Sequence, residues 1–128
     1  MKRFPMLFAL VVFLVAAPGI AAETKPFDPA TFAALQEANK PILIDVRADW
    51  CPTCRMQAPV LSSLLATPEF DGYTMLEVNF DNQPAVLRQF KVTQQSTLIV
   101  FKGKVEKGRS TGDTQRGSIA ALLRKADG

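Results

Sequence analysis

The chain has 128 residues, 48% hydrophobic and 21% charged, with two cysteines and no histidine. That length suits one domain with a real core, and the composition excludes a disordered or fibrous chain. The formal charge is +3, but Lys2 and Arg3 lie in a segment expected to be removed; 15 basic residues less these two leaves 13 against 12 acidic ones, about +1, too balanced to point to nucleic acid or an acidic membrane surface.

The N-terminus reads MKRFPMLFALVVFLVAAPGIAAETKPF: two basic residues, an uncharged apolar run over residues 4–17, then small residues. This is the pattern of a secretory signal peptide over residues 1–22, with cleavage expected after Ala21 or Ala22. The run is short for a membrane span; an uncleaved anchor is the alternative. No cysteine lies near the cleavage region, which argues against a lipoprotein anchor. A domain over residues 23–128 follows.

Asp28 and Pro29 offer an N-cap and a first helical position, and Phe32, Ala33, Leu35 and Ala38 recur at helical spacing, so a helix is expected over residues 28–39. Pro41 stops it. ILIDV, residues 42–46, is apolar apart from Asp45, as in a strand buried on both faces. A helix should open near Cys51, with Met56, Val60, Leu61, Leu64 and Leu65 on its buried side and a kink at Pro59. A second central strand is expected over residues 73–80, a short helix over 84–90 and a third strand over 97–102. Gly103 turns the chain into an antiparallel edge strand over 105–110. Gly112 breaks that strand, and a last helix begins near Gly117 and ends around Lys125. Strands alternating with helices and closing on a hairpin imply an α/β domain: one central mixed β-sheet flanked by helices on both faces.

Both cysteines sit in ADWCPTCRM, residues 48–56. Three readings compete: a metal clip, a structural crosslink, and a pair that trades electrons. In an exported chain a lone pair is most often structural. A bridge from Cys51 to Cys54, however, closes a loop too small to restrain the unfolded chain much. Zinc wants four N or S ligands, and the sequence holds two cysteines and no histidine. A copper(I) carrier could use the two thiolates, with Met56 and Met75 as soft neighbours. At the start of a helix, by contrast, a Cys51 thiolate meets free backbone N–H groups and the positive end of the dipole. Cys54, one turn further in, should be more buried and stay protonated longer. Cys51 would attack and Cys54 resolve.

ILIDVRADWCPTC resembles the active-site segment of thioredoxins: an apolar strand, an aspartate, a few residues, then W-C-x-x-C. Pro59 falls where that family keeps a kinking proline, VNFDNQP resembles its next strand and exit, and FKGK with Gly112 and Gly117 matches its terminal hairpin and helix entry. The ADWC wording and the leader resemble the exported branch, including the soluble domain of DsbD-type reductases. The resemblance implies the thioredoxin fold and a redox-active Cys51–Cys54 disulfide. It also implies that Asp45 is the proton acceptor for Cys54, and that Trp50 shields the disulfide and shapes the docking surface. Pro52 and Thr53, between the sulfurs, would set the redox balance. Thr53 offers only a hydroxyl where strongly oxidising relatives carry histidine, so a potential nearer the reducing side is expected.

Two departures stand out. Many thioredoxins place a cis-proline before the third strand; the slot here is Ser96, and a non-proline cis bond costs about 2.5–4 kcal/mol, so a trans Gln95–Ser96 bond is expected. Gln95, Ser96 and Thr97 should still line the site, with an altered substrate choice, and the Ser96 hydroxyl within reach of a sulfur. Glu77 stands where many thioredoxins have lysine. It either faces Asp45, raising one pKa, or points to solvent. Arg47, replacing a common aromatic, would stabilise a thiolate or grip an acidic partner.

The expected function is an exported, periplasmic thiol:disulfide oxidoreductase acting on protein disulfides and re-reduced by a membrane electron donor of the DsbD/CcdA type. No cofactor is expected beyond the Cys51–Cys54 pair, no metal and no nucleic acid, and the chain should act as a monomer. The alternatives are a copper(I)-binding thiol carrier and a non-catalytic binding module of the same fold.

Overall fold

The computed structural model describes residues 1–2, 9–15 and 19–128. Much of the apolar run assigned to the leader lies outside the described residues. Among those described, no helix is long and apolar enough to cross a membrane. Within the described residues, five strands, β1 (Glu23–Pro26), β2 (Pro41–Arg47), β3 (Thr74–Asn79), β4 (Thr97–Lys102) and β5 (Val105–Thr111), alternate with four helices, α1 (Pro29–Glu37), α2 (Pro52–Leu65), α3 (Pro84–Phe90) and α4 (Arg116–Arg124). Single turns of 3-10 helix lie at Pro68–Phe70 and Lys125–Asp127.

The strands form one mixed sheet in the order β1-β3-β2-β4-β5. β2 pairs parallel with β3 and antiparallel with β4, so it is central and its apolar run is covered on both sides. Alternation along β2 divides the core. Leu43 joins Met75, Leu98 and Val100 under Leu61, Leu64 and Leu65 of α2 and Ile119, Leu122 and Leu123 of α4. Ile42, Ile44 and Val46 join Leu76, Val78, Ile99 and Phe101 under Phe32 of α1 and Val86 and Phe90 of α3. Edge-to-face contacts among Phe27, Phe32, Phe90 and Phe101 fill the second layer.

The local signals act as read. Asp28 caps α1 by accepting from the Thr31 N–H (2.9 Å). Pro59 lies inside α2 and cannot donate to the Arg55 carbonyl. Gly112 takes φ +77° at the end of β5. Two expectations need correction. β1 was not foreseen: its four residues, ETKP, are all exposed and show no alternation. Parallel pairing to β3 holds it, a long-range contact with no local pattern. Met56 is not on the buried side of α2; it is 60% exposed, and Val60 is only partly buried against the core. The buried stripe runs instead through Cys54, Gln57, Leu61, Leu64 and Leu65.

Tyr73, just before β3, ties the end of α4 to the sheet: its buried hydroxyl donates to the Leu123 carbonyl at 2.6 Å. Tyr73→Phe leaves that carbonyl without its side-chain donor and should lower the unfolding free energy by about 1–2 kcal/mol in urea titration, with an unchanged m-value.

Candidate functional site

β2 ends at Arg47, residues 48–50 turn the chain, and Cys51 is the N-cap of α2, in extended geometry with Pro52 at the first helical position. The Cys51 Sγ accepts from the Cys54 backbone N–H at 3.1 Å. A sulfur thus occupies the place that a serine or aspartate oxygen fills at an ordinary N-cap. Cys51 and Cys54 are joined as a disulfide. Both sulfurs lie in a small apolar cluster with Ala48, against which Phe80 packs. The expected order of burial is reversed: Cys51 is 1% exposed and Cys54 5%.

Asp45 shares its face of β2 with Leu43, the face that α2 covers. Because the chain reverses between β2 and α2, Asp45 lies beneath the cysteine end of the helix. It is 7% exposed, and burial first, then the charge of Glu77, push its carboxyl up to about 7, against a smaller opposing pull from Arg47. Glu77 is the register partner of Asp45 across the parallel β2–β3 pair, so its side chain shares that face. It does not simply point to solvent: Arg47 Nη1 donates to Glu77 Oε2 at 3.0 Å. Arg47 is therefore engaged with Glu77, with Asp49 at the edge of ion-pair range (4.0 Å). Arg47 and Glu77 line one open groove of about 270 Å³ with Ala48, Asp49 and Gln83.

Trp50 is 53% exposed, and its indole Nε1–H donates to both carboxylate oxygens of Asp81 (3.1 and 2.9 Å). Pro52 is exposed and Thr53 half-buried. The Gln95–Ser96 bond is trans. Ser96 takes φ +57°, a left-handed conformation that is uncommon for a residue with a Cβ. Its hydroxyl does not reach toward a sulfur; it donates to the Gln95 carbonyl at 2.6 Å. Proline cannot adopt this backbone, since its ring holds φ near −65°. Thr97 secures the loop: its Oγ1 donates to the Gln94 carbonyl (2.7 Å) and lies 3.1 Å from Thr111 Oγ1.

Two polar residues of this region were not singled out from the sequence. Asp81 follows β3 and carries no local signal; only the fold brings it to Trp50. Gln57 was detectable, as the one amide on the buried stripe of α2. It is 1% exposed, and its Nε2 donates to the carbonyls of Ser96 (3.2 Å) and Asp113 (2.9 Å). Met75 packs in the core beneath α2 and α4, away from the role of a soft ligand. Among the described residues, no cluster of three or more His, Cys, Asp or Glu side chains is placed to hold a metal ion.

Comparison with known proteins fits this geometry. The family model described as thioredoxin matches residues 23–125. The chain is 39% identical over 84 residues to the thioredoxin of Chlamydia trachomatis, covering 66% of this chain and 80% of that one. It is 36% identical over 97 residues to the bifunctional thioredoxin reductase/thioredoxin of Mycobacterium leprae, covering 76% of this chain but spanning only 20% of that longer protein. Among solved structures, Trxlp from Edwardsiella tarda EIB202 matches with a TM-score of 0.75 at 41% identity, covering 80% of this chain and 97% of that one.

The burial of Asp45 sets a pH dependence of stability. Its folded pKa, about 7, lies above the ordinary value of 3.8. Between these limits the folded state holds a proton that the unfolded state has lost, so stability falls as pH rises through the window. Below it both states are protonated and no penalty exists. Asp45→Asn should therefore stabilise the oxidised protein by about 2–4 kcal/mol at pH 8 and by nearly nothing at about pH 3.5, measured by urea unfolding. Equal effects at both pH values would contradict the assignment.

Proposed function

The chain belongs to the thioredoxin family and is a thiol:disulfide oxidoreductase of that type, and on this premise we propose that it is an exported reductase of envelope-protein disulfides, fed by a membrane electron donor of the DsbD/CcdA type. The observation that carries the catalytic part is the N–H of Cys54 donating to the Cys51 sulfur at the head of α2. The same donor and the helix dipole stabilise a thiolate there once the pair is reduced.

On this reading the steps are as follows. In the reduced protein the Cys51 thiolate attacks one sulfur of a substrate disulfide. That S–S bond breaks, and the departing substrate sulfur takes up a proton. Asp45, in its carboxylate form, then accepts the proton of the Cys54 thiol. The Cys54 thiolate attacks the Cys51 sulfur, the mixed disulfide breaks, and the second substrate sulfur leaves as a thiolate that takes up a proton, while Asp45 gives up its own and returns to the carboxylate. Two electrons have passed to the substrate, and the Cys51–Cys54 disulfide remains. A dithiol donor reverses these exchanges to reset the pair, and no other cofactor enters. Trp50 and the Gln95–Ser96–Thr97 loop hold the substrate segment, while Pro52 and Thr53 tune the potential. With no histidine between the sulfurs, the potential lies nearer the reducing value of about −270 mV than the oxidising one of about −120 mV.

Export is supported by the leader-like N-terminus and by the position of the first strand. β1 begins at Glu23, so cleavage after Ala21 or Ala22 leaves every strand whole. The protein acts as a monomer outside the cytosol, where a soluble reductant needs a continuous electron supply.

Two measurements test this. Cys54→Ala, expressed with its leader in a Gram-negative host, should accumulate mixed disulfides through Cys51 with envelope proteins, released by dithiothreitol, while Cys51→Ser should capture none. The mature protein recovered from the envelope fraction should begin at Ala22 or Glu23; an intact Met1 terminus in the cytosol removes the exported role and leaves the exchange chemistry standing.

A further inference from the structure

Gln57 lies one turn beyond Cys54 on the buried stripe of α2, at 1% exposure. Its Nε2 spans two loops that are distant in sequence, donating to the Ser96 carbonyl before β4 and the Asp113 carbonyl after β5. Both neighbours are acceptors, so the amide orientation is fixed: the nitrogen must face them. The other end of the group, Oε1, is then buried without a partner. A leucine here would continue the apolar stripe and leave no orphaned acceptor. The amide thus sits at an unfavourable place for packing, and what it gains is the tie to two loops.

The Ser96 loop needs such a tie. Its backbone is held at φ +57° without the ring of a proline. Among the described residues, the Ser96 carbonyl is bonded besides Gln57 only by the Gly112 N–H (3.0 Å), which itself belongs to the loop that Asp113 continues. Without the amide, the Gly112 N–H is the hydrogen-bond donor that remains on the Ser96 carbonyl among the described residues.

We propose that Gln57 is a positioning residue for substrate: its side-chain amide locks the Gln95–Ser96–Thr97 loop to the cysteine-bearing helix, so that an extended disulfide-containing segment finds the loop already in place. This rests on the proposed role of that loop in holding substrate. Gln57 touches no sulfur bond that reacts; it acts through Ser96. A small disulfide that makes no contact with the loop should be indifferent to it.

The test compares Gln57→Leu with the unaltered protein, using dithiothreitol as electron source and two probes, insulin and hydroxyethyl disulfide. Gln57→Met, of similar length, serves if the leucine variant does not fold. The expected result is a KM for insulin raised about tenfold, the equivalent of one lost hydrogen bond. kcat, the second-order rate with hydroxyethyl disulfide and its pH profile should stay within about twofold of the parent. The Gly112 amide should exchange its hydrogen about tenfold faster in the variant, reporting the loosened loop. Equal losses on both probes would show general damage and overturn the proposal, as would unchanged insulin kinetics. If the unaltered protein reduces neither probe, the oxidoreductase reading falls by itself, and the tie is then decided by the Gly112 exchange rate, which must rise in the variant for it to stand.

Discussion

A sulfur at the N-cap of α2 is the contact on which the rest of the site depends. The first turn of any helix offers N–H groups that its own backbone cannot satisfy. Here one of them is satisfied by Cys51 Sγ, so the polarity of the helix end is delivered to the reacting atom and not to solvent. That requires the helix to begin at this residue. Pro52, with no N–H to lose and φ already near the helical value, makes the start sharp. It also requires the helix to be held over the sheet, which Leu61, Leu64 and Leu65 accomplish through the layer they share with β2 and α4. Chemistry at the head of α2 and packing along its flank are two ends of one element.

Around that contact the protein keeps charges under tension. Asp45 would be more comfortable in water, and Glu77 beside it makes ionisation harder still. Arg47 answers Glu77 directly and Asp45 only weakly. The result is a buried carboxyl whose pKa is pushed up to about 7. Where many thioredoxins place a lysine on β3, this chain puts an acid on β3 and its cation on β2. The net charge beneath the helix is therefore more negative near Asp45 and is neutralised toward the groove.

Much of this was legible in the sequence, for physical reasons that differ by element. β2 and β4 announce themselves because central strands are apolar on both faces, and helix ends announce themselves through Asp28, Pro29, Pro52 and Pro84. Asp45 was conspicuous as a lone charge in an apolar run. The cysteine pair was conspicuous because its loop is too short to serve as a crosslink. β1 was not legible, since its four exposed residues are strand only by virtue of β3. Met56 was misplaced because residues 56, 60 and 64 also follow helical spacing, and the choice between two adjacent stripes belongs to the packing partner. The ties of Trp50 to Asp81 and of Gln57 to Ser96 and Asp113 span 31, 39 and 56 positions; no local pattern encodes them.

The two rims of the sheet carry one more implication. On one side β1 stops at Pro26, which has no N–H to offer, and its remaining exposed residues include an ion pair between Lys25 and Glu23. On the other, β5 presents Glu106, Lys107 and Arg109, with the register broken by an irregularity near Val100. A foreign strand approaching either rim meets a missing donor, a fixed charge or an interrupted ladder, the features by which open sheets resist polymerisation. An oxidoreductase that exchanges disulfides through covalent intermediates is thereby kept from growing strand upon strand with its protein substrates.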